Sequence, residues 1–254
     1  MNRLEQLYSL QGLRVVVTGA SSGLGLSMSV MLAECGATVF GLSRSGDVKV
    51  EYDGEIPDSI QFEKMDVANE EDVKHKLAEI GEKGGIDVLI NNAGVTIKKP
   101  AVEFTNTDLE YMNNININGV YHCSKCAFPY LKVSKHVGRV ISISSMASYL
   151  GFSEVVPYCA SKSAVIGITR GLAVEWANQN VLVNSVSPGW FPSLMNQQVM
   201  DVERQKKILS RMPLHRYGRP EELAAMICFL ASPAASYITG QDFSVDGGAL
   251  AFGY

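Results

Sequence analysis

Short apolar runs rich in β-branched residues alternate with longer helical stretches along nearly the whole chain, and this alternation limits the fold more than any other feature. Residues 14–17, 38–42, 60–64, 88–90, 139–143, 181–186 and 242–245 read as strands. Between most of them, residues 23–35, 70–82, 108–131, 158–177 and 220–230 carry helical patterns. The runs at 14–17, 38–42 and 88–90 are near-continuously apolar, as a strand covered on both faces requires. The expected architecture is α/β: a doubly wound parallel sheet of about seven strands. No repeat, low-complexity stretch or Pro/Gly/Ser-rich linker divides the 254 residues, so a single domain spanning 1–254 is expected. Such sheets bind ligands beyond the carboxyl ends of their strands, and the residues just after each strand are the first to search.

Composition narrows the partners. A net charge of −4, from 22 basic and 26 acidic residues, leaves no electrostatic footprint for nucleic acid or an anionic membrane. The longest apolar run, 223–231, is too short to span a bilayer, which takes about 20 residues. The opening residues have no apolar leader stretch, and five scattered cysteines do not make a disulfide framework, so a reducing cytoplasm is the expected location. Four dispersed histidines offer no metal-ligand spacing, and no metal is expected. Cys123 and Cys126 form a C-x-x-C without a second ligand pair and read as inert core thiols.

The first turn carries chemistry. After the first strand comes Thr18-Gly19-Ala20-Ser21-Ser22-Gly23-Leu24-Gly25, with three glycines at a strand-to-helix junction. There the backbone turns tightly and free N–H groups at the helix start can approach a pyrophosphate. The second strand ends in Ser43-Arg44, where a site preferring NAD places Asp or Glu on the ribose hydroxyls. A carboxylate would repel a 2′-phosphate. Ser43 leaves room for it, and Arg44 either pairs with it or is a solvated loop residue. NADP(H) is therefore expected, with NAD(H) as the other option. Asp66-Val67 follows the third strand, and Asp66 either receives the adenine amino group or caps the helix opening near Asn69.

Two further motifs follow: Asn91-Asn92-Ala93-Gly94 after the fourth strand, and Tyr158-Cys159-Ala160-Ser161-Lys162. Tyr158 and Lys162 are four apart and share a helix face. A free tyrosine, with a pKa near ~10, is a poor acid–base group at neutral pH, and a nearby ammonium lowers that value.

With these residues the chain resembles the short-chain dehydrogenase/reductase family, in its one-domain Rossmann-type branch. The likeness runs through Thr18–Gly25, Asp66-Val67, Asn91–Gly94, Ser145, Tyr158–Lys162, Pro188-Gly189 and Val245-Asp246-Gly247-Gly248, in the family's order and spacing. It implies a catalytic set of Asn116, Ser145, Tyr158 and Lys162. Tyr158 moves the hydroxyl proton, and Ser145 holds the substrate oxygen. Lys162 lowers the tyrosine pKa and binds the nicotinamide ribose. Asn116 anchors a water joining Lys162 to solvent, while Asn114 and Asn118 are structural or exposed. The implied cofactor residues are Gly19, Ser21, Ser22, Gly23, Leu24, Gly25, Ser43, Arg44, Asp66, Val67, Asn92, Ala93, Gly94, Tyr158, Lys162, Pro188, Gly189 and Ser193. The helices at 108–131 and 158–177 are implied to build a homo-oligomer, a tetramer.

The chain also departs from the family. Residues 45–59 are short, acidic and broken by Gly and Pro, so a loop is expected where the family has a helix. Substrate choice belongs to 95–100, 146–156 and 190–213, the last reading as a mobile lid. Lys98-Lys99-Pro100, Ser145–Ser148, Glu175-Trp176-Ala177 and Arg216–Pro220 resemble the family's sugar-acid and polyol oxidoreductases, the gluconate 5-dehydrogenase and 2-deoxy-gluconate 3-dehydrogenase groups. Lys98 suits a substrate carboxylate or is a solvated lysine. Those groups carry an arginine where this chain has Gly151-Phe152-Ser153-Glu154, which shifts the expectation toward a neutral polyol, a ketose or a hydrophobic ketone. Three functions stay open: an NADP(H)-dependent oxidoreductase of a ketose, polyol or keto-sugar acid; a 3-oxoacyl thioester reductase with a basic docking patch of Lys98, Lys99, Arg211 and Arg216; and a non-catalytic dinucleotide-binding regulator.

Overall fold

The computed structural model describes residues 2–48, 54–192 and 202–253. One seven-stranded sheet runs through it in the order β3-β2-β1-β4-β5-β6-β7. The strands are β1 (Arg14–Thr18), β2 (Thr38–Ser43), β3 (Ile60–Lys64), β4 (Val88–Asn91), β5 (Gly138–Ile143), β6 (Val181–Pro188) and β7 (Asp242–Val245). Every neighbouring pair is parallel. The strand order reverses between β1 and β4, and this switch point opens a crevice at the carboxyl edge.

The helices are α1 (Arg3–Tyr8), α2 (Gly23–Glu34), α3 (Glu70–Glu82), α4 (Asn106–Asn113), α5 (Gly119–Leu131), α6 (Val156–Trp176), α7 (Val202–Arg211), α8 (Pro220–Ala231) and α9 (Ala249–Phe252). The pleat of β1 divides the core. Val15 and Val17 pack with Leu26 and Val30 of α2 and with Leu223 and Ile227 of α8. Val16 points to the opposite face and packs with Leu77 of α3, Ala127 of α5 and Leu172 of α6. Each fully buried aliphatic side chain contributes about 1.5–3 kcal/mol, and burial on both faces explains why β1, β2 and β4 lack polar alternation, while the edge strands β3 and β7 are only partly buried. At the amino edge of the sheet, Asp87 accepts from Arg14 N at 2.8 Å and from Ser134 Oγ at 2.5 Å.

Two expectations need correction. The sequence predicts one helix over 108–131, but the structure begins it at Asn106 and interrupts it with a wide π turn, Asn114–Asn118. The apolar pattern continues through that turn, so periodicity gives no warning of it. The expected end of the sixth strand at 186 is also too early: β6 runs on to Pro188, in register with Val245. Of the stretch 45–59 expected as a loop, residues 45–48 and 54–59 contain no helix, and 49–53 lie outside the described residues.

Candidate active site

The turn after β1 is built by close approach. A Cβ on Gly25 would lie 2.2 Å from the Gly19 carbonyl oxygen and 2.5 Å from Asn92 Nδ2, so only glycine fits. Gly19 sits at φ +68°, and its N–H donates to Leu42 O at 2.8 Å, tying the turn to β2. Thr18 is the hidden organiser. Its buried hydroxyl accepts from Asn92 N at 3.0 Å and from Ala93 N at 3.1 Å. Asn92 Nδ2 in turn donates to Thr18 O at 2.9 Å and Gly19 O at 3.1 Å. The glycine turn and the Asn91–Gly94 stretch are therefore one unit, although they are 74 residues apart at Thr18 and Asn92.

A cleft of about 510 Å³ opens over this unit. Its lining includes Gly19, Ser21, Ser22, Gly23, Leu24, Gly25, Ser43, Arg44, Asp66, Val67, Asn92, Ala93, Gly94, Ser145, Tyr158, Lys162, Pro188 and Gly189. Those are the sequence-predicted residues except Asn116, which stands behind the wall, and Ser193, which lies outside the described residues. Much of the 190–213 segment expected as a lid lies there too; its described part includes α7.

The cleft suits a phosphorylated dinucleotide. Ser22 at the start of α2 makes no side-chain cap, so the first backbone N–H groups of this twelve-residue helix are left for a ligand. Thr96 Oγ1 and Trp190 Nε1, both on residues of the lining, are buried without a hydrogen-bond partner. Arg44 is exposed and makes no ion pair among the described residues. Lys64, also exposed, lies in register beside Ser43, a second cation that the sequence reading missed. The Ser43 hydroxyl accepts from Gly46 N at 3.1 Å and so also shapes the loop. Asp66 is not the helix cap: Asn69 accepts from Glu71 N and Asp72 N, while Asp66 Oδ1 receives Ala68 N at 3.0 Å.

At the other end, Ser145, Tyr158 and Lys162 share one wall. Ser145 is separated from its neighbour by use. Both line the cleft, but Ser144 Oγ is engaged inside, donating to Lys162 O at 2.9 Å and meeting Ser148 Oγ at 2.6 Å, whereas Ser145 Oγ accepts from Ala147 N at 3.1 Å and pairs with the Tyr158 phenol. Burial pushes the Tyr158 phenol above its ordinary pKa, and a hydrogen bond with Ser145 pulls it part of the way back. Burial pushes the Lys162 ammonium down to about 8. Lys162 Nζ donates to Ile143 O at 2.8 Å and lies 5.9 Å from the Tyr158 ring centre. In the protein alone the net direction at Tyr158 is upward, set by burial, and Lys162 is not among the groups that move it.

Asn116 is fixed from inside the protein. Fully buried in the π turn, it accepts from Val95 N at 2.9 Å and donates to Val95 O at 2.9 Å and Ser161 Oγ at 3.0 Å. Ser161 donates onward to Tyr158 O at 2.8 Å. The amide thus fastens the segment after Gly94 to the helix bearing Tyr158. Asn118 Nδ2 and Asn114 Oδ1 bond each other at 2.9 Å on the exposed side.

The cations expected to form a docking patch are largely paired: Lys98 with Glu154, Lys99 with Asp108 and Arg216 with Glu222. Burial raises the Cys123 and Cys126 thiols, in keeping with inert groups. Among the described residues, no cluster of three or more His, Cys, Asp and Glu could hold a metal, and no helix is long and apolar enough to cross a membrane.

Comparison with known proteins defines the class. The family model described as enoyl-(acyl carrier protein) reductase matches residues 19–249. A 2-dehydro-3-deoxy-D-gluconate 5-dehydrogenase of Dickeya dadantii is 37% identical over 249 residues, covering 96% of this chain and 98% of the relative. A 3-oxoacyl-(acyl-carrier-protein) reductase of Thermotoga maritima is 35% identical, covering 94% and 98%. The crystal structure of a gluconate 5-dehydrogenase from Burkholderia cenocepacia, in complex with NADP and tartrate, superposes with a TM-score of 0.89 at 28% identity, covering 98% of this chain and 99% of that one. The protein is an oxidoreductase acting on CH–OH groups with a nicotinamide cofactor. The chain belongs to the short-chain dehydrogenase/reductase family.

Proposed function

We propose that the protein is an NADP(H)-dependent oxidoreductase that interconverts a ketone and a secondary alcohol on a sugar-derived compound: a ketose, a polyol or a keto-sugar acid. The observation that carries this reading is the convergence of Ser145, Tyr158 and Lys162 on one wall of a cleft floored by the glycine turn. NADP(H), when bound, supplies or accepts the hydride. Gly19, Ser21, Ser22, Gly23, Leu24 and Gly25 hold its pyrophosphate. Ser43 and Arg44 receive the 2′-phosphate, Asp66 and Val67 face the adenine, and Asn92, Ala93 and Gly94 line the middle. Lys162 holds the nicotinamide ribose, with Pro188, Gly189 and Ser193 about the nicotinamide. Unpaired Arg44 and Lys64 support the phosphorylated form of the cofactor.

Tyr158 gives its phenolic proton to the ketone oxygen in reduction and takes it back in oxidation. Burial keeps that phenol protonated at neutral pH, so it meets a ketone as an acid. Ser145 donates a hydrogen bond to the same oxygen. Asn116 acts through position, holding Val95 and Ser161. The Dickeya relative and the Burkholderia structure support a sugar-derived substrate. The test is NADP(H) turnover across ketoses, polyols, keto-sugar acids, acyl thioesters and aryl ketones; turnover confined to acyl thioesters or aryl ketones would overturn the reading. The Thermotoga relative favours a 3-oxoacyl thioester as the second reading, and the pairing of Lys98, Lys99 and Arg216 counts against the basic dock it needs.

The chain acts as one dinucleotide-binding and catalytic domain and assembles as a tetramer in the cytoplasm. Exposed Tyr111, Tyr121 and Val174, on α4, α5 and α6, support assembly through those helices. Five cysteines without a disulfide agree with a reducing compartment. A purely monomeric 27.6 kDa species in sedimentation at micromolar concentration refutes the assembly.

A further inference from the structure

Three cations line the cleft: Arg44 at the adenosine end, Lys162 beside Gly94, and Lys98 at the substrate end. Lys98 does not stand alone. Its Nζ lies 3.2 Å from Glu154 Oε2, and both side chains are part-exposed, 33% and 44%. Glu154 holds its place by its backbone. It sits in the left-handed region at φ +66°, uncommon for a residue with a side chain, and its carbonyl accepts from Lys99 N at 2.9 Å. The segment after β4 and the segment before α6 are therefore joined twice, by a main-chain bond and by an ion pair. The cleft lining also includes the apolar side chains Met146, Phe152, Val155, Trp190 and Phe191. Phe152 and Trp190 meet edge to face at 6.3 Å.

We propose that Glu154, which is not itself part of the cleft lining, withholds Lys98 from substrate: its carboxylate engages the Lys98 ammonium and so selects neutral polyols and ketones over substrates bearing a carboxylate. The proposal rests on the function above and narrows its substrate class. A half-exposed ion pair contributes little to stability. Its effect on binding is larger. A free carboxylate approaching Lys98 has to displace a tethered one already aligned with it, and it also meets the repulsion of the displaced Glu154. A neutral polyol meets neither obstacle and loses nothing, because its hydroxyls do not need a cation.

The test is a binding experiment on the NADP⁺-loaded protein, with gluconate as the anionic probe and sorbitol as the neutral one. Calorimetric titration is run on the wild type, Glu154→Gln, Lys98→Met and the double variant. Glu154→Asn is added because asparagine tolerates the left-handed backbone. In Glu154→Gln and Glu154→Asn, gluconate binds about tenfold or more tightly, the effect of freeing one charge-assisted contact, while sorbitol changes less than about twofold. The gain disappears in the double variant. Unchanged gluconate affinity, including no measurable binding to any variant, overturns the proposal. So does a gain that survives removal of Lys98. Absence of turnover with any sugar-derived compound refutes the function and not this inference, which is read from binding alone.

Discussion

Replacing Asn116 by alanine separates two parts the residue could play. In the structure its amide satisfies both backbone groups of Val95 and bridges to Ser161. Alanine leaves the Val95 N–H and C=O without partners, whereas Ser161 keeps its bond to Tyr158 O. An orphaned buried polar group costs about 1–3 kcal/mol, and because Val95 is half-buried the lower part of that range applies, giving about 2–4 kcal/mol for the pair. That is a large share of the roughly 5–15 kcal/mol that holds a protein folded. In a chain of this size each kcal/mol moves Tm by about 2–4 °C, so the expected fall is about 5–15 °C. The assay is thermal unfolding of the nucleotide-free protein followed by circular dichroism, with kcat measured well below the transition. Loss of kcat accompanies the fall in Tm, because Gly94 and Lys162 lie against the loosened segment. A variant that loses kcat but melts within about 2 °C of the wild type refutes the argument and assigns Asn116 to proton relay alone.

Tyr158→Phe keeps the ring and removes the proton: turnover falls about 10²–10⁴-fold while NADPH affinity, measured by fluorescence, stays within a few fold, and near-normal turnover contradicts the assignment. Lys162 predicts a pH dependence of stability. The unfolded lysine keeps its proton to about 10.5, while the folded one sheds it above about 8, so between these values the unfolded state binds more protons and stability rises with pH. Unfolding midpoints at pH 7, 8 and 9 therefore climb more in the wild type than in Lys162→Met, a comparison that cancels any share from Cys35, whose thiol a hydrogen bond from Cys228 holds at about 7; equal slopes end the argument. Arg44→Ala weakens NADPH binding about tenfold to hundredfold and leaves NADH unchanged, and Ser43→Asp reverses the preference. Equal loss of both cofactors in Arg44→Ala defeats this.

The sequence made legible whatever depends on local pattern. Strand and helix alternation predicted the sheet, and the helix at 70–82 has the bounds of α3 because Asn69 and its acidic first turn mark the start. Tyr158 and Lys162 declare themselves by four-residue spacing on a helix. What stayed hidden is tertiary. The Lys98–Glu154 pair joins segments separated by 56 positions, and neither residue alone reveals the other. Thr18 stands at the head of the glycine motif without showing that its hydroxyl serves the fourth strand. The π turn hides inside a continuing apolar pattern, and with it the reason Asn116 is spent on Val95. The shifts at Tyr158 and Lys162 follow from burial, which spacing cannot report.

Val95 marks a seam. Upstream of it, the chain from Asn92 is stitched to Thr18 and Gly19; at Val95 itself the amide of Asn116 closes the last stitch. Downstream, the segment leans on Glu154 instead. A laboratory exchange of substrate-facing loops between relatives should therefore cut after Val95 and carry residues 96–100 and 150–155 together as one cassette. Moving either piece by itself leaves Lys98 or Glu154 facing a stranger, whereas moving both leaves the nucleotide floor as it was.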